Sequence, residues 1–144
     1  MRAHLVYAHP EPKSFCAAMK DTAVTALAEA GHVVTISDLY AERCNPVASG
    51  ADFVMRRDPR YLSYALEQRR AIEWDTLAPD ITREVERVLA ADLLFLVFPV
   101  FWFSMPAILM PPTTALISSR KSERKRSGSR DSLATRAISP VIRI

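Results

Sequence analysis

Residues 93–98 of the chain read LLFLVF and are apolar at every position. A strand with one solvated face alternates apolar and polar residues, so an unbroken apolar run of this length indicates a strand that is buried on both faces. Such strands are typical of parallel sheets that carry helices on both sides. The run therefore favours an α/β protein and predicts a strand that begins at Leu93.

Two further strands are predicted nearer the N-terminus, and a helix joins them. His4–Ala8 is a short apolar run that ends at the sequence HPEP, residues 9–12, whose prolines interrupt a strand. Ser14 can cap a helix whose apolar residues recur every three or four positions, and Gly31 supplies its end. His32–Asp38 is rich in β-branched residues, which predicts the second strand.

Two more helices are predicted between the second strand and the apolar run. Residues 39–58 follow no regular period and are interpreted as an excursion between elements. Tyr61–Trp74 has the composition of a surface helix. Pro79 followed by Asp80 suits the first turn of a helix that ends near Ala90, and its acidic residues are interpreted as a solvated face. Strands separated by helices predict a doubly wound parallel sheet in three α/β/α layers.

The charges divide the chain at Leu109. The 144 residues contain 19 Lys and Arg and 16 Asp and Glu, a formal net charge of +3. Up to Leu109 there are eleven basic and fourteen acidic residues, whereas residues 110–144 contain eight basic and two acidic ones. The basic excess belongs to a segment rich in Ser and Arg. We therefore expect one acidic domain in residues 1–109 and a poorly ordered basic tail in residues 110–144.

Several classes of protein find no support in the sequence. Cys16 and Cys44 are too few for a disulfide framework and are not spaced as a zinc pair, so we expect a cytoplasmic protein without a metal site. The longest apolar stretch, Leu93–Phe103, is about half the length of a membrane span, so no membrane insertion is expected. The basic run at residues 120–126 lacks interleaved aromatic residues, and no nucleic-acid partner is expected.

Two loops are the candidate functional site. Ligands of open α/β sheets bind beyond the carboxyl ends of the strands, at the point where the strand order reverses. Residues 9–14 lead into a helix N-terminus, where backbone N–H groups favour a phosphate, although no glycine-rich nucleotide motif is present. Residues 99–104 contain Phe101, Trp102 and Phe103, and at least one of these rings should face a cleft that a flat aromatic ligand can enter.

Five blocks of sequence follow the order of one known family. They are VYAHPEPKSF at 6–15, SDLY at 37–40 with Asn45-Pro46, LAPDI at 77–81, ADL at 91–93 and FPVFWFSMPAIL at 98–109. With these blocks the chain resembles the flavodoxin-like NAD(P)H:quinone oxidoreductases. The resemblance implies a flavodoxin-like fold and a homodimeric enzyme that holds FAD, with FMN as the alternative. Such an enzyme takes hydride from NAD(P)H and passes two electrons to a quinone.

The resemblance also implies where the flavin would bind. It places His9 and the turn at residues 14–16 against the flavin phosphates, and residues 100–103 along the isoalloxazine ring. At Cys16 the family usually has Asn, and Ser63 falls roughly where some members have a Gln that reaches the cofactor. No catalytic side chain is assigned. The implied cofactor-binding residues are His9, Ser14, Phe15, Cys16, Ser63, Val100, Phe101, Trp102 and Phe103.

The resemblance ends at Met110. The family continues there into a helix, two further strands and the rest of the flavin pocket, and residues 110–144 do not resemble these parts. We therefore interpret the chain as a truncated or frame-shifted member, with an incomplete sheet that lacks strands 4 and 5. One alternative is an inactive homologue that binds little or no flavin and acts at most as an interaction module. Another is a nucleic-acid binder that uses the basic tail.

Overall fold

The computed structural model describes residues 1–109, and the predicted tail at residues 110–144 lies outside the described residues. Residues 1–109 form three strands and three helices, and each of these was predicted from the sequence with bounds that differ by at most a few residues. Two single turns of 3-10 helix, Gly50–Asp52 and Ala107–Leu109, were not predicted. The elements are β1 Arg2–Tyr7, α1 Phe15–Glu29, β2 Val33–Asp38, α2 Tyr64–Trp74, α3 Pro79–Leu89 and β3 Leu93–Val97.

The three strands form one parallel sheet in the order β2-β1-β3. Leu5 in the middle of β1 pairs with Ile36 of β2 on one side and with Phe95 of β3 on the other. After β1 the chain thus adds β2 on one side of it and then β3 on the other. This confirms the predicted doubly wound flavodoxin-like arrangement, and the reversal of strand order lies between the carboxyl ends of β1 and β3.

Alternate residues of β1 face opposite sides of the sheet and supply two separate cores. Leu5 and Tyr7 pack with Ala17 of α1 on one side. Val6 and Ala8 pack on the other side with Leu39, Ile108 and Leu109, and Leu94 of β3 links this core to Val85 and Val88 of α3. The helices α1 and α3 therefore cover opposite faces, as the three-layer prediction requires.

Strand β3 is less buried than its apolar sequence predicts. Only Val97 is buried, and Leu93 and Leu96 are each 36% exposed. Within residues 1–109, β3 pairs with β1 alone and forms an edge of the sheet. The expectation of a strand buried on both faces is therefore wrong for the described part of the chain, because one edge of β3 lacks a neighbouring strand there.

The segment between β2 and α2 is held in place, although no regular period runs through it. The backbone N–H of Val54 donates to the carbonyl oxygen of Thr76 at 2.8 Å. The buried carboxylate of Asp52 accepts from the Tyr64 hydroxyl at 2.6 Å and from the backbone N–H of Ser49 at 3.1 Å. Burial and this hydrogen bond to Asp52 raise the pKa of Tyr64. Backbone and side-chain hydrogen bonds, two of them to residues from Tyr64 onward, therefore hold this segment.

Candidate functional site

The loop after β1 delivers the chain to the start of α1 in a relaxed conformation. Ser14 has an extended backbone, and its Oγ accepts a hydrogen bond from the backbone N–H of Ala17 at 3.2 Å. The first turn of α1 contains no acidic residue. The N–H groups of Phe15 and Cys16 lie in the first turn of the helix, where no intrahelical acceptor exists. These groups and the positive end of the helix dipole make the position suitable for an anion.

The ring of His9 is oriented by the same loop. The backbone N–H of Glu11 donates to Nδ1 of His9 at 3.0 Å. In the neutral ring Nδ1 is therefore the acceptor, and the proton is carried by Nε2. The ring can thus offer an N–H donor from the loop that leads into α1, and a phosphate oxygen can accept a hydrogen bond from such a group.

The loop after β3 contains a tight turn with unusual backbone angles. The N–H of Phe101 donates to the carbonyl of Ser104 at 3.0 Å, and the N–H of Ser104 donates back at 2.9 Å. The two residues between them, Trp102 and Phe103, have φ angles of 48° and 63°. Positive φ at both central positions is the pattern of a type I′ turn, which normally contains Asn-Gly. Left-handed backbone costs an ordinary L-residue about 1–2 kcal/mol.

This turn holds two large aromatic side chains in solvent. Trp102 is 94% exposed and Phe103 is 100% exposed, and Val100 and Phe101 are also exposed. Trp102 and Phe103 therefore combine a strained backbone with large exposed rings. Both features are typical of binding surfaces, where local stability is lower than elsewhere in the fold. The rings lie beyond the end of β3 and are exposed to solvent, and the expectation that one of them receives a flat ligand stays a prediction.

The two loops begin next to each other. Tyr7 pairs with Val97, and the N–H of Ala8 donates to the carbonyl of Val97 at 3.0 Å. The start of α1 and the strained turn therefore both lie beyond the carboxyl ends of the strands. Ser63, the remaining residue implied by the resemblance, is the N-cap residue of α2 and belongs to neither loop.

Both cysteines are partly buried. Burial raises the pKa of the Cys16 thiol. Burial also raises the pKa of the Cys44 thiol, and the nearby Glu84 and Glu42 carboxylates raise it further. Both thiols are therefore protonated at neutral pH and are poor nucleophiles.

A cavity of about 500 Å³ lies on the α3 side of the sheet, next to the strained turn. The loop after β2 forms one wall and the segment after β3 forms the other. Phe101 contributes to the second wall, so the residue that begins the turn also lines this cavity. The lining residues are Leu39, Tyr40, Arg43, Cys44, Pro46, Phe101, Pro106, Ala107 and Ile108.

A second polar grouping, which the sequence analysis missed, lies inside the fold. The ring of His4 contacts the Ser37 hydroxyl, and the Ser37 hydroxyl donates to the Glu84 carboxylate at 2.5 Å. The acidic residues of α3 were expected to be solvated, but Glu84 is buried because it faces β2, so that expectation is wrong. Ser37 is also fully buried and donates its proton to Glu84, so its hydroxyl is not available as a nucleophile.

Metal-binding clusters and membrane-spanning helices are both absent from residues 1–109. Among residues 1–109 no group of three or more His, Cys, Asp and Glu side chains is arranged to hold a metal ion. In the same range no helix combines the length and apolarity needed to cross a membrane.

Known proteins resemble the chain over the same region. The family model described as flavodoxin-like fold matches residues 1–110. Human ribosyldihydronicotinamide dehydrogenase (quinone) is 44% identical over 106 residues, which are 73% of this chain and 46% of that protein. NAD(P)H dehydrogenase (quinone) 1 of Cavia porcellus is 43% identical over 109 residues, covering 75% of this chain and 40% of that protein. The chain thus spans about half the length of the curated relatives it matches.

Solved structures also resemble the chain over this region. A Klebsiella pneumoniae protein assigned as a quinone reductase superposes with a TM-score of 0.75 at 37% identity. The superposition covers 81% of this chain and 45% of that one. The NAD(P)H:quinone oxidoreductase of Methanothermobacter marburgensis gives a TM-score of 0.64 at 26% identity, covering 81% and 53%. Sequence, fold and strand order agree, and the chain belongs to the family with the flavodoxin-like fold.

Proposed function

We propose that the chain carries a flavin-binding site of an NAD(P)H:quinone oxidoreductase. The observation that carries the proposal is the strained turn, which holds Trp102 and Phe103 in solvent in a loop that begins beside the loop leading into α1. A bound flavin would supply the redox chemistry, since it accepts hydride from NAD(P)H and returns two electrons to a quinone. The protein's part is to bind and orient the cofactor.

The phosphate end of the flavin would lie at the start of α1. The backbone N–H groups of Phe15 and Cys16 point out of the first turn, and the Nε2 proton of His9 adds a third donor. Ser14 contributes mainly as the helix cap, because its Oγ already accepts from Ala17. These donors fit a phosphate without a glycine-rich loop. FAD, with two phosphates, is the proposed cofactor, and FMN is the alternative.

The ring end of the flavin would lie against the turn after β3. Trp102 and Phe103 offer large apolar surfaces, and the two hydrogen bonds between Phe101 and Ser104 fix the backbone that carries them. A fixed backbone reduces the conformational entropy that is lost when a flat ligand stacks on these side chains. Val100, which is also exposed, lies directly before the turn and is assigned to the same surface.

The relatives support the electron donor and acceptor. The matched proteins are described as quinone dehydrogenases or quinone reductases, and two of their names include NAD(P)H. We therefore propose NAD(P)H as donor and a quinone as acceptor. The proposal includes a cytoplasmic homodimer, with residues 1–109 as its flavodoxin-like domain and residues 110–144 as a tail outside that domain.

The visible absorbance of the purified full chain tests flavin binding. We expect the protein to bind added FAD, and FMN is titrated in parallel to establish which cofactor is preferred. In Trp102→Ala the affinity for flavin should fall at least about tenfold, which corresponds to about 1.4 kcal/mol. Tyr61→Ala, which removes an exposed ring far along the chain from the turn, serves as the matched control and should bind flavin normally.

Two outcomes would contradict parts of the proposal. A folded protein that binds neither FAD nor FMN would overturn the flavin site and favour the inactive interaction module. If flavin binds, NADH or NADPH should bleach it under anaerobic conditions and a quinone should restore the colour. Flavin that binds but is not bleached would leave a flavin-binding module without the proposed enzymatic activity.

A further inference from the structure

Five polar side chains meet between the sheet and α3, on the face away from α1. His4 on β1 and Ser37 on β2 are fully buried, and Glu84 on α3 is 4% exposed. Arg87 on α3 and Glu42 in the loop after β2 complete the group, which we call the His4 cluster. The candidate flavin site uses none of these side chains. Because buried polar groups are costly unless they are paired, the protonation state of each member matters.

The hydrogen bonds define the tautomer of His4. The Ser37 hydroxyl donates to Glu84 at 2.5 Å and accepts from Nη1 of Arg87 at 3.0 Å. A hydroxyl has one proton and two lone pairs, so its remaining contact, with Nε2 of His4 at 3.2 Å, must also be accepted. Nε2 therefore carries the proton. Nδ1 of the neutral ring then accepts from the Thr35 hydroxyl at 2.8 Å.

The charges around neutral His4 are balanced. The carboxylates of Glu84 and Glu42 face the guanidinium of Arg87 at 2.7 Å and 3.0 Å. Arg83 approaches the same two carboxylates at 3.6 Å and 3.3 Å. From β3 the ring faces the apolar Leu94, its partner in the strand register. Two anions and two cations leave no net charge, and a proton on His4 would add an uncompensated one.

The environment of His4 disfavours its charged form. Burial is the main cause that lowers the pKa of His4, and the Arg87 guanidinium lowers it further. The Glu84 and Glu42 carboxylates and a hydrogen bond with the Thr35 backbone oppose this effect only in part. Because the pKa in the folded state is lower than in the unfolded state, the unfolded chain binds more protons in mildly acidic solution. The contribution of His4 to the free energy of unfolding is therefore constant well above pH 6.5, and it falls as the pH drops below 6.5.

We propose that His4 is a proton-sensitive latch that holds α3 and the loop after β2 against the sheet. A proton that reaches Nδ1 from solvent forces the Thr35 hydroxyl to become the acceptor. The Thr35 proton must then turn towards the carbonyl oxygen of Ala3, which lies 3.4 Å away and is a poor acceptor at that distance. The hydrogen bond between Nδ1 and Thr35 then reverses its direction, and the cluster gains one positive charge in a buried place.

Loosening of the latch would reach the cavity beside the strained turn. Glu42 is joined to α3 through Arg83 and Arg87, and its neighbours in the loop, Arg43 and Cys44, line the cavity. When α3 separates from the sheet, this wall of the cavity loses its anchor. The device therefore links acidification to the shape of the cavity, and it operates whether or not flavin binds.

The first test is an NMR titration of the three histidine side chains in the full chain. Long-range ¹H–¹⁵N spectra at pH 7.5 should show His4 as the neutral Nε2–H tautomer, and its titration midpoint should lie below the ordinary 6.5. A midpoint at or above 6.5, or the Nδ1–H tautomer at pH 7.5, would overturn the proposal. This test needs no variant and is therefore decisive even if substitutions at His4 prevent folding.

The second test compares His4→Gln with His32→Gln by amide hydrogen exchange at pH 7.5 and 5.0. Gln keeps an N–H donor for Ser37 but does not titrate. In the unmodified chain, protection factors in α3 should fall by up to about tenfold per pH unit below pH 6.5, and those in α1 should fall much less. His32→Gln should behave like the unmodified chain, and His4→Gln should lose the drop in α3. An unchanged drop in His4→Gln would show that another group is responsible.

Discussion

The loops after β1 and β3 begin next to each other at the carboxyl ends of these strands, but only one of them has a relaxed backbone. The first loop enters α1 through Ser14, an N-cap residue with an ordinary extended backbone. The second contains Trp102 and Phe103 in the left-handed region. One loop offers backbone N–H groups and the other offers large rings. The difference between the two loops shows that backbone N–H groups and exposed aromatic rings require different backbone conformations.

Backbone donors can be presented without strain, because every helix leaves its first N–H groups unpaired. Two consecutive aromatic side chains can be held out in solvent only by a conformation that they resist. Trp102 and Phe103 occupy positions where Asn and Gly would be relaxed. A protein under selection for stability alone would use those residues, so the strain coincides with the surface to which we assign ligand binding.

The largest effect is expected when the strained turn is relaxed. The double variant Trp102→Asn, Phe103→Gly should raise the free energy of unfolding by about 2 kcal/mol, since each original residue pays the left-handed penalty. Urea denaturation followed by circular dichroism measures the change. Flavin affinity should fall in the same variant, because both rings are lost. A variant that is no more stable than the original chain would show that the two loops do not differ in strain.

A smaller effect is expected at the cap of α1. Ser14→Ala removes the acceptor of the Ala17 N–H and should lower the free energy of unfolding by about 1 kcal/mol. Ser14→Asp separates helix capping from phosphate binding, because Asp caps helices as well as Ser does. Its stability should stay close to that of the original chain, while its carboxylate should repel a phosphate and weaken flavin binding. Equal flavin affinity in Ser14→Asp and the original chain would place the phosphate elsewhere.

The smallest effect is expected at Phe15. This ring is 80% exposed but lies on a helix with ordinary backbone angles. Phe15→Ala should therefore change the free energy of unfolding by less than about 0.5 kcal/mol in either direction. Thermal and urea unfolding of this variant provide the baseline for the turn variants. A loss above about 1 kcal/mol would mean that the first loop also depends on aromatic packing, and the contrast between the loops would weaken.

Local signals in the sequence were sufficient for most of the fold. Ser14 and Gly31 mark the two ends of α1 through their own backbone preferences, and the helix occupies the residues between them. Strand β1 begins at Arg2 rather than at the predicted His4, because Arg2 pairs with Val33 of β2. Such pairing joins residues far apart in the sequence, and no local pattern reveals where it starts.

The candidate site was predictable only in part, for the same reason. The aromatic run at residues 101–103 is visible in the sequence, and its place after an apolar strand points to a ligand. The left-handed conformation of Trp102 and Phe103 is not visible, since both residues normally avoid it. The contact between Ser37 and Glu84 depends on how α3 lies across the sheet. Glu84 belongs to the acidic residues that were interpreted as a solvated face, and its position in the sequence gives no sign of burial.

The central position of β1 has a consequence for the order in which the sheet assembles. His4 and Thr35, which join β1 to β2, are 31 residues apart, whereas Arg2 and Asp92, which bond at the β3 side, are 90 apart. Loop-closure entropy makes the longer connection costlier by about 1 kcal/mol. The segment from β1 to β2, with α1 between them, is therefore the expected folding nucleus, and β3 joins a preformed pair of strands. The loop after β1 would be in place before the aromatic turn arrives beside it.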